Sequence, residues 1–368
     1  MTTRPTPTST STPTSTPTPT PTPALTVDAP VRQGLPPRPS RFAGRFSRRF
    51  VLRQLAGSAL ALVFVVVVNF FLFRVINPHP ERTLGRGKAR TAQDLEDIRH
   101  RLGLDAPLPV QFGKYLKQVV TGDLGVSFQY SKPVTELIAE RMGPTLLLVL
   151  PATILSIWLG SRLGSRQAWR HGGRFDRSTS ASAIITYAMP EWWLGLLLFM
   201  AFAASPVLGV FPIGGLHSPG VDPTSFVGVA DTVWHLVLPT VTLTISYLAE
   251  YSIIMRSSML DVMGEDYLLT GRAKGLSDAQ VLRRHALPNA RLPMTTLIAL
   301  NLAFTVGGAI TVETVFSVPG LGLLTSEALR IPDLPLLQGL FLVFSGAVVL
   351  ANTLANFLYA LQDPRVKA

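Results

Sequence analysis

Glu265-Asp-Tyr-Leu-Leu-Thr-Gly-Arg-Ala-Lys-Gly-Leu-Ser-Asp-Ala-Gln-Val-Leu-Arg-Arg-His-Ala-Leu-Pro-Asn289 is a polar segment set between two apolar stretches. It is heavily punctuated for a loop. Gly275 stands where a first short helix would end, in the left-handed conformation that glycine tolerates best. Ser277 follows as an N-cap, and Gln280, three residues on, completes a capping box. Leu276 and Val281 take the two places of a hydrophobic staple. Pro288 is expected to stop the second helix. These signals read as a helix–turn–helix knob on one side of a membrane, an expected docking surface for a separate protein.

The rest of the composition supports a membrane setting. Of 368 residues, 47% are hydrophobic and 15% charged, with mean hydropathy +0.34. Soluble domains carry about 25% charged residues. The net charge of +11 could point to nucleic acid. Here the basic residues crowd the ends of apolar stretches, so the orientation signal of membrane proteins explains them better, and no nucleic-acid partner is expected. With no cysteine, disulfides, thiolate metal sites and cysteine catalysis are excluded. Residues 1–40 are different material. Thr3 to Pro23 is almost wholly Thr, Pro and Ser, a composition that cannot bury apolar surface and reads as a disordered tail.

Six stretches are long enough to cross about 30 Å of hydrocarbon. They are Val51–Phe73, Thr145–Leu163, Ala181–Ala204, Val233–Met255, Met294–Val312 and Leu336–Leu358. Pro190 in the third and Pro239 in the fourth are expected bend points. Arg41, Arg45, Arg48, Arg49 and Arg53 lead into the first span. Arg162, Arg166, Arg170, Arg174 and Arg177 follow the second, and Arg256, Arg272, Lys274, Arg283, Arg284 and Arg291 follow the fourth. Residues 205–232 hold no Lys or Arg, and 314–335 only Arg330. The positive-inside rule then predicts that both termini and the capped segment are cytoplasmic.

The long loop between the first two spans is expected to be helical and outside the cell membrane. Thr91 with Asp94 reads as an N-terminal box and Gly103 as the matching stop. Val110, Tyr115, Leu116, Val119 and Val120 predict a second, amphipathic helix. Pro133 at the first helical position, then Val134, Leu137 and Ile138, predict a third that runs into the second span. The expected organisation is a tail over 1–40, then the first span with its outer loop over 41–143. A transmembrane domain follows over 144–362, with the capped loop at 261–292, and a tail over 363–368 ends the chain.

These residues also carry a family resemblance. Arg272-Ala-Lys-Gly-Leu-Ser277, continued by Arg284-His-Ala-Leu-Pro-Asn-Ala290, resembles the cytoplasmic EAA loop of ABC importer permeases, within the dipeptide/oligopeptide/nickel family. Arg101-Leu-Gly-Leu-Asp-Ala-Pro-Leu-Pro-Val-Gln111 and Gly122-Asp-Leu-Gly-Val-Ser-Phe128 are similar to the outer loop of the first, B-type subunit. Glu313-Thr-Val-Phe-Ser-Val-Pro-Gly-Leu-Gly322 and Asp363-Pro-Arg365 resemble the exit of the fifth span and the tail. Where the EAA pattern has its first Ala, this chain has Gly271.

The resemblance implies an all-α integral membrane protein, a type I ABC importer permease with six transmembrane helices. It implies an inner-membrane location and a peptide, nickel or other small-solute cargo. It implies as partners a second, C-type permease subunit, two cytoplasmic ABC ATPase subunits, an extracytoplasmic solute-binding protein and the lipid bilayer. ATP-Mg would bind the ATPases, with no cofactor on this chain. The chain itself has no G-x-x-x-x-G-K-[ST], H-E-x-x-H or G-x-S-x-G pattern, so no catalytic or metal residue is expected. Asp266, Arg272, Ala273, Lys274, Gly275, Leu276, Ser277, Arg284, His285, Pro288 and Asn289 are the expected coupling residues. Glu191, Glu250, Glu313 and Asn301 are candidates for the translocation path, because a carboxylate in lipid costs about 2–3 kcal/mol unless it faces water or a partner. A structural role is the alternative for each. The competing function is a self-sufficient secondary transporter or channel, which would need its own coupling-ion site.

Overall fold

The computed structural model describes residues 48–76, 93, 106–291, 294, 295, 298 and 309–362. Among them every regular element is helical. Arg48–Ile76 (α1) forms around the apolar run from Ala59 to Val68, with Arg48, Arg49 and Arg53 at its start and Arg74 near its end. Leu108–Thr121 (α2) is the amphipathic helix expected in the loop. Gly122 ends it at φ +74°, donating to the carbonyls of Gln118 and Val119. Phe112 and Tyr115 dock α2 onto Phe70 of α1, with ring centroids 5.2 and 5.6 Å apart. The expected first outer helix, with Thr91, Asp94 and Gly103, lies outside the described residues, as do both tails.

Val134–Trp169 (α3) merges the third outer helix with the second span into one helix of 36 residues. Pro133 is its N-cap rather than its first helical residue. Among the described residues it contributes to all three buried apolar clusters. Val134, Leu137 and Ile138 pack at one end with Leu321, Leu324, Leu336 and Leu340. Leu148, Val149 and Ala152 lie midway with Leu236, Leu243, Val312 and Phe316. Ala168 sits at the other end with Tyr251, Met255 and Met259.

The principal partner of α3 is Phe226–Met263 (α6), which continues as one helix through Pro239. Contact is close because α3 offers a stripe of small side chains to it. Ala152, Ser156, Gly160, Gly164 and Ala168 recur every fourth residue and are all buried. A Cβ at Gly160 would stand 2.6 Å from Tyr251 Cβ, and one at Gly164 2.8 Å from Met255 Cβ. In lipid, where apolar burial drives little association, backbone approach of this kind supplies the packing. The Ser156 hydroxyl adds a hydrogen bond to the Thr244 carbonyl at 3.2 Å.

The third span is broken. Arg174–Ala188 (α4) and Glu191–Phe202 (α5) meet at 103° across Met189 and Pro190. Proline cannot donate to the previous turn and drives its predecessor to extended backbone, and Met189 lies at φ −80°, ψ 132°. The bend is thus far sharper than a kink. Among the described residues four helices, α1, α3, α6 and Leu334–Gln362, are long and apolar enough to cross a membrane, and the α4–α5 pair is a fifth if taken as one span. Most of the expected fifth span, Met294–Val312, falls outside the described residues.

Candidate functional site

The capped segment folds as expected around Gly275. Asp266–Ala273 (α7) ends in a Schellman turn: Gly275 N–H donates to the Arg272 carbonyl at 2.9 Å and Leu276 N–H to that of Gly271 at 3.3 Å. Gly275 sits at φ +80°. Ser277 then caps Asp278–Val281 (α8), and the Gln280 side chain accepts from the Ser277 N–H at 2.9 Å. The staple pair, Leu276 and Val281, sits in one apolar cluster.

That cluster is the seat of the knob. Leu268, Val281, Ala286 and Ala290 are buried against Met255 and Met259 of α6 and Ala168 of α3. The opposite side is exposed: Asp266, Arg272, Ala273, Lys274, Gly275, Ser277, Arg284, Pro288 and Asn289, with Leu276 and His285 half-buried. Arg272 Nε reaches Asp278 Oδ1 at 3.1 Å across the turn. Both are exposed, so the pair fixes geometry more than it stabilises. A small-residue turn with a charged rim, backed by a packed core, can be pushed as one body by a partner.

Pro288 does not stop the helix. The chain stays helical from Val281 to Arg291. The reason is a π turn over Leu282–Ala286, in which Leu287 N–H donates to the Leu282 carbonyl. The wider turn just before Pro288 leaves room for its ring and absorbs its missing donor. Asn289 Nδ2 also donates to the His285 carbonyl at 2.8 Å.

The candidate path residues separate. Glu191 opens α5 and is half-buried, within electrostatic reach of Glu250 and Tyr247 on α6. Asn301 lies outside the described residues. Glu313 is fully buried in Ile310–Val315 (α9). Its Oε1 accepts from Thr145 Oγ1 at 2.7 Å, and its Oε2 accepts from the N–H groups of Gly322 and Leu323 at 2.7 and 3.1 Å. Those amides open Leu321–Arg330 (α10). Glu313 is therefore an internal helix cap, and its carboxylate is occupied within the protein rather than turned to a passage.

Two polar anchors were not read from sequence. Asp176, at the start of α4, is 2% exposed. It accepts from Arg256 Nε at 2.7 Å and Nη2 at 2.9 Å, from Gly172 N–H at 3.0 Å and from Ser180 Oγ at 3.1 Å. This ties α4 to α6. Asp333, also buried, accepts from Ser127 Oγ at 2.6 Å and Gln129 N–H at 3.0 Å, holding the outer loop to the start of Leu334–Gln362 (α11). Beside it Tyr130 donates to Glu327 Oε2 at 2.6 Å; burial, then that carboxylate, pushes the phenol pKa up to about 12. No local pattern marks either aspartate, because the partners Arg256 and Ser127 lie 80 and 206 residues away. Among the described residues no cluster of His, Asp or Glu is spaced to hold a metal ion.

Comparison with known proteins agrees with this geometry. Residues 145–368 match the family described as binding-protein-dependent transport system inner membrane component, and residues 47–149 match its N-terminal model. A probable peptide ABC transporter permease protein of Sinorhizobium fredii is 37% identical over 86% of this chain and 99% of its own. A dipeptide transport system permease protein of Alkalihalophilus pseudofirmus is 34% identical over 86% and 99%. A glutathione transport system permease protein of Salmonella typhi is 35% identical over 86% and 98%. The reading as a self-sufficient transporter or channel is set aside. Such permeases work with a solute-binding protein and with separate ATPases. This chain belongs to the binding-protein-dependent transport system inner membrane components: it is a multi-pass permease subunit of an ABC importer, without catalysis of its own.

Proposed function

We propose that the chain is the first, B-type permease subunit of a peptide importer, pairing with a C-type subunit and two ATPases that bind ATP-Mg. Peptides are the cargo class because relatives carry peptide, dipeptide and glutathione names over nearly their whole length. Residues 261–292 are the coupling loop. The observation that carries this is the exposed Schellman turn at Gly275 seated on the α3–α6 core. Both termini and this loop are cytoplasmic, as the arginine distribution supports. Residues 1–40 and 363–368 are tails, 41–143 the first span with its outer loop, and 144–362 the transmembrane domain. Nickel chelates and other small solutes are the alternative cargo.

Glu191 and Glu250 line the path, where their charge attracts the α-ammonium of an incoming peptide. Their mutual proximity beside the Pro190 break supports this. The test is reconstitution with the C-type subunit, the ATPases and the binding protein in proteoliposomes. Peptide uptake that requires ATP and all the subunits is expected. Uptake by this chain alone, driven by a proton or sodium gradient, would overturn the reading.

A further inference from the structure

One face of α3 that points away from α6 changes chemistry along its length. Leu147, Ile154 and Trp158 lie exposed on it at helical spacing. Arg162 and Arg166 continue the same face one and two turns on, both exposed. The Arg162 guanidinium stands 4.0 Å from the centroid of the Trp158 ring. One helical turn is about 5.4 Å, so this cation begins where the exposed apolar stretch ends.

Among the described residues no carboxylate pairs with these two cations. From Val149 to Phe175 the sequence holds no Asp or Glu. Asp176 is buried and already held by Arg256, Gly172 and Ser180. Arg162, Arg166, Arg170, Arg174 and Arg177 are all exposed around it. Among the described residues neither Arg162 nor Arg166 has an ion-pair partner. A guanidinium over an indole keeps its N–H edges available, and the fork of donors matches two phosphate oxygens.

We propose that Trp158, Arg162 and Arg166 form a binding site for the phosphate headgroup of an anionic phospholipid, whose acyl chain lies along Ile154 and Leu147. The occupant is a lipid rather than an acidic protein because the arginines are continuous with an exposed apolar stripe on a helix long and apolar enough to cross a membrane. Free phosphate would match the arginines but leave the stripe unused. Each arginine near such a surface contributes about 1 kcal/mol, so losing both lowers retention roughly thirtyfold.

The assembled importer, purified in mild detergent, is the test object, with native mass spectrometry after exchange into phosphatidylglycerol and phosphatidylcholine mixtures. Wild type is expected to retain one more phosphatidylglycerol per complex than the Arg162→Gln/Arg166→Gln variant, at equal subunit stoichiometry. The Arg162→Lys/Arg166→Lys variant, which keeps charge but not the donor fork, should fall between them. Equal phosphatidylglycerol retention by wild type and the Gln variant overturns the site. So does displacement of the lipid by millimolar inorganic phosphate, which would show an ion site without an acyl component.

Discussion

The Thr145 hydroxyl both donates to Glu313 Oε1 at 2.7 Å and accepts from the Leu321 N–H at 2.8 Å, joining α3, α9 and α10 at one buried point. Removing the carboxylate strands the amides of Gly322 and Leu323 in the interior. Glu313→Ala is expected to cost about 3 kcal/mol or more, read as a lower melting temperature of the purified complex. Glu313→Gln keeps an acceptor and should cost less. If Glu313→Ala kept full stability and instead changed selectivity between cationic and anionic peptides, the capping role would be wrong.

Gly275 and Gly271 should respond oppositely to alanine. Gly275 lies at φ +80° with no atom within 4 Å of an added Cβ, so its constraint is purely conformational. A left-handed L-residue costs about 1–2 kcal/mol. Gly275→Asn should be tolerated and Gly275→Val should lower peptide transported per ATP hydrolysed. At Gly271 an added Cβ would meet His285, Val281 and Leu276 at 3.7 to 3.8 Å, ordinary contact. Gly271→Ala should therefore stabilise α7 by about 0.5–1 kcal/mol. Melting curves and coupled ATPase assays on the variants separate the two effects.

The small-residue stripe predicts a steep size dependence. Gly164→Ala would push a methyl against the Ser252 carbonyl and Met255. Overpacking of this kind costs about 1–3 kcal/mol, and Gly164→Leu should abolish accumulation of the chain in membranes. Gly57→Ala, with nothing within 4 Å, is the matched control. Equal yields for Gly164→Leu and the control would show that α3 and α6 do not need this contact.

Asp176 and Arg256 invite a double-mutant cycle. The aspartate side chain is 3% exposed and the arginine 27%. Loss of either partner leaves the other charge poorly compensated, at about 2–4 kcal/mol once the arginine's exposure is allowed for. Asp176→Leu with Arg256→Leu should recover much of that loss in melting temperature. Strict additivity of the single variants would show that the pair is not coupled.

Much of this was legible in the sequence, and the misses share a cause. The first, second, fourth and sixth spans, the α2 helix and the Gly275 turn rest on local signals, and each has its helix or turn in the structure. Pro288 does not end the helix because the π turn before it removes the clash that an α-helix would meet. The tight α3–α6 contact was present as a four-residue recurrence of Ala, Ser and Gly, but small residues carry no hydropathy signal. Glu313, Asp176 and Asp333 could not be assigned, since a buried carboxylate and one facing a passage look alike until a partner 80 or more residues away is placed.

The length of α3 has a mechanical meaning. At 36 residues it is about 54 Å long, well beyond the hydrocarbon it crosses. One end is clamped among Leu321 and Leu336, the other at Ala168 beneath the Gly275 turn. A helix held at both ends in this way can act as a lever: a tilt at its Leu336 end is expected to reappear as a displacement at Ala168, under the turn.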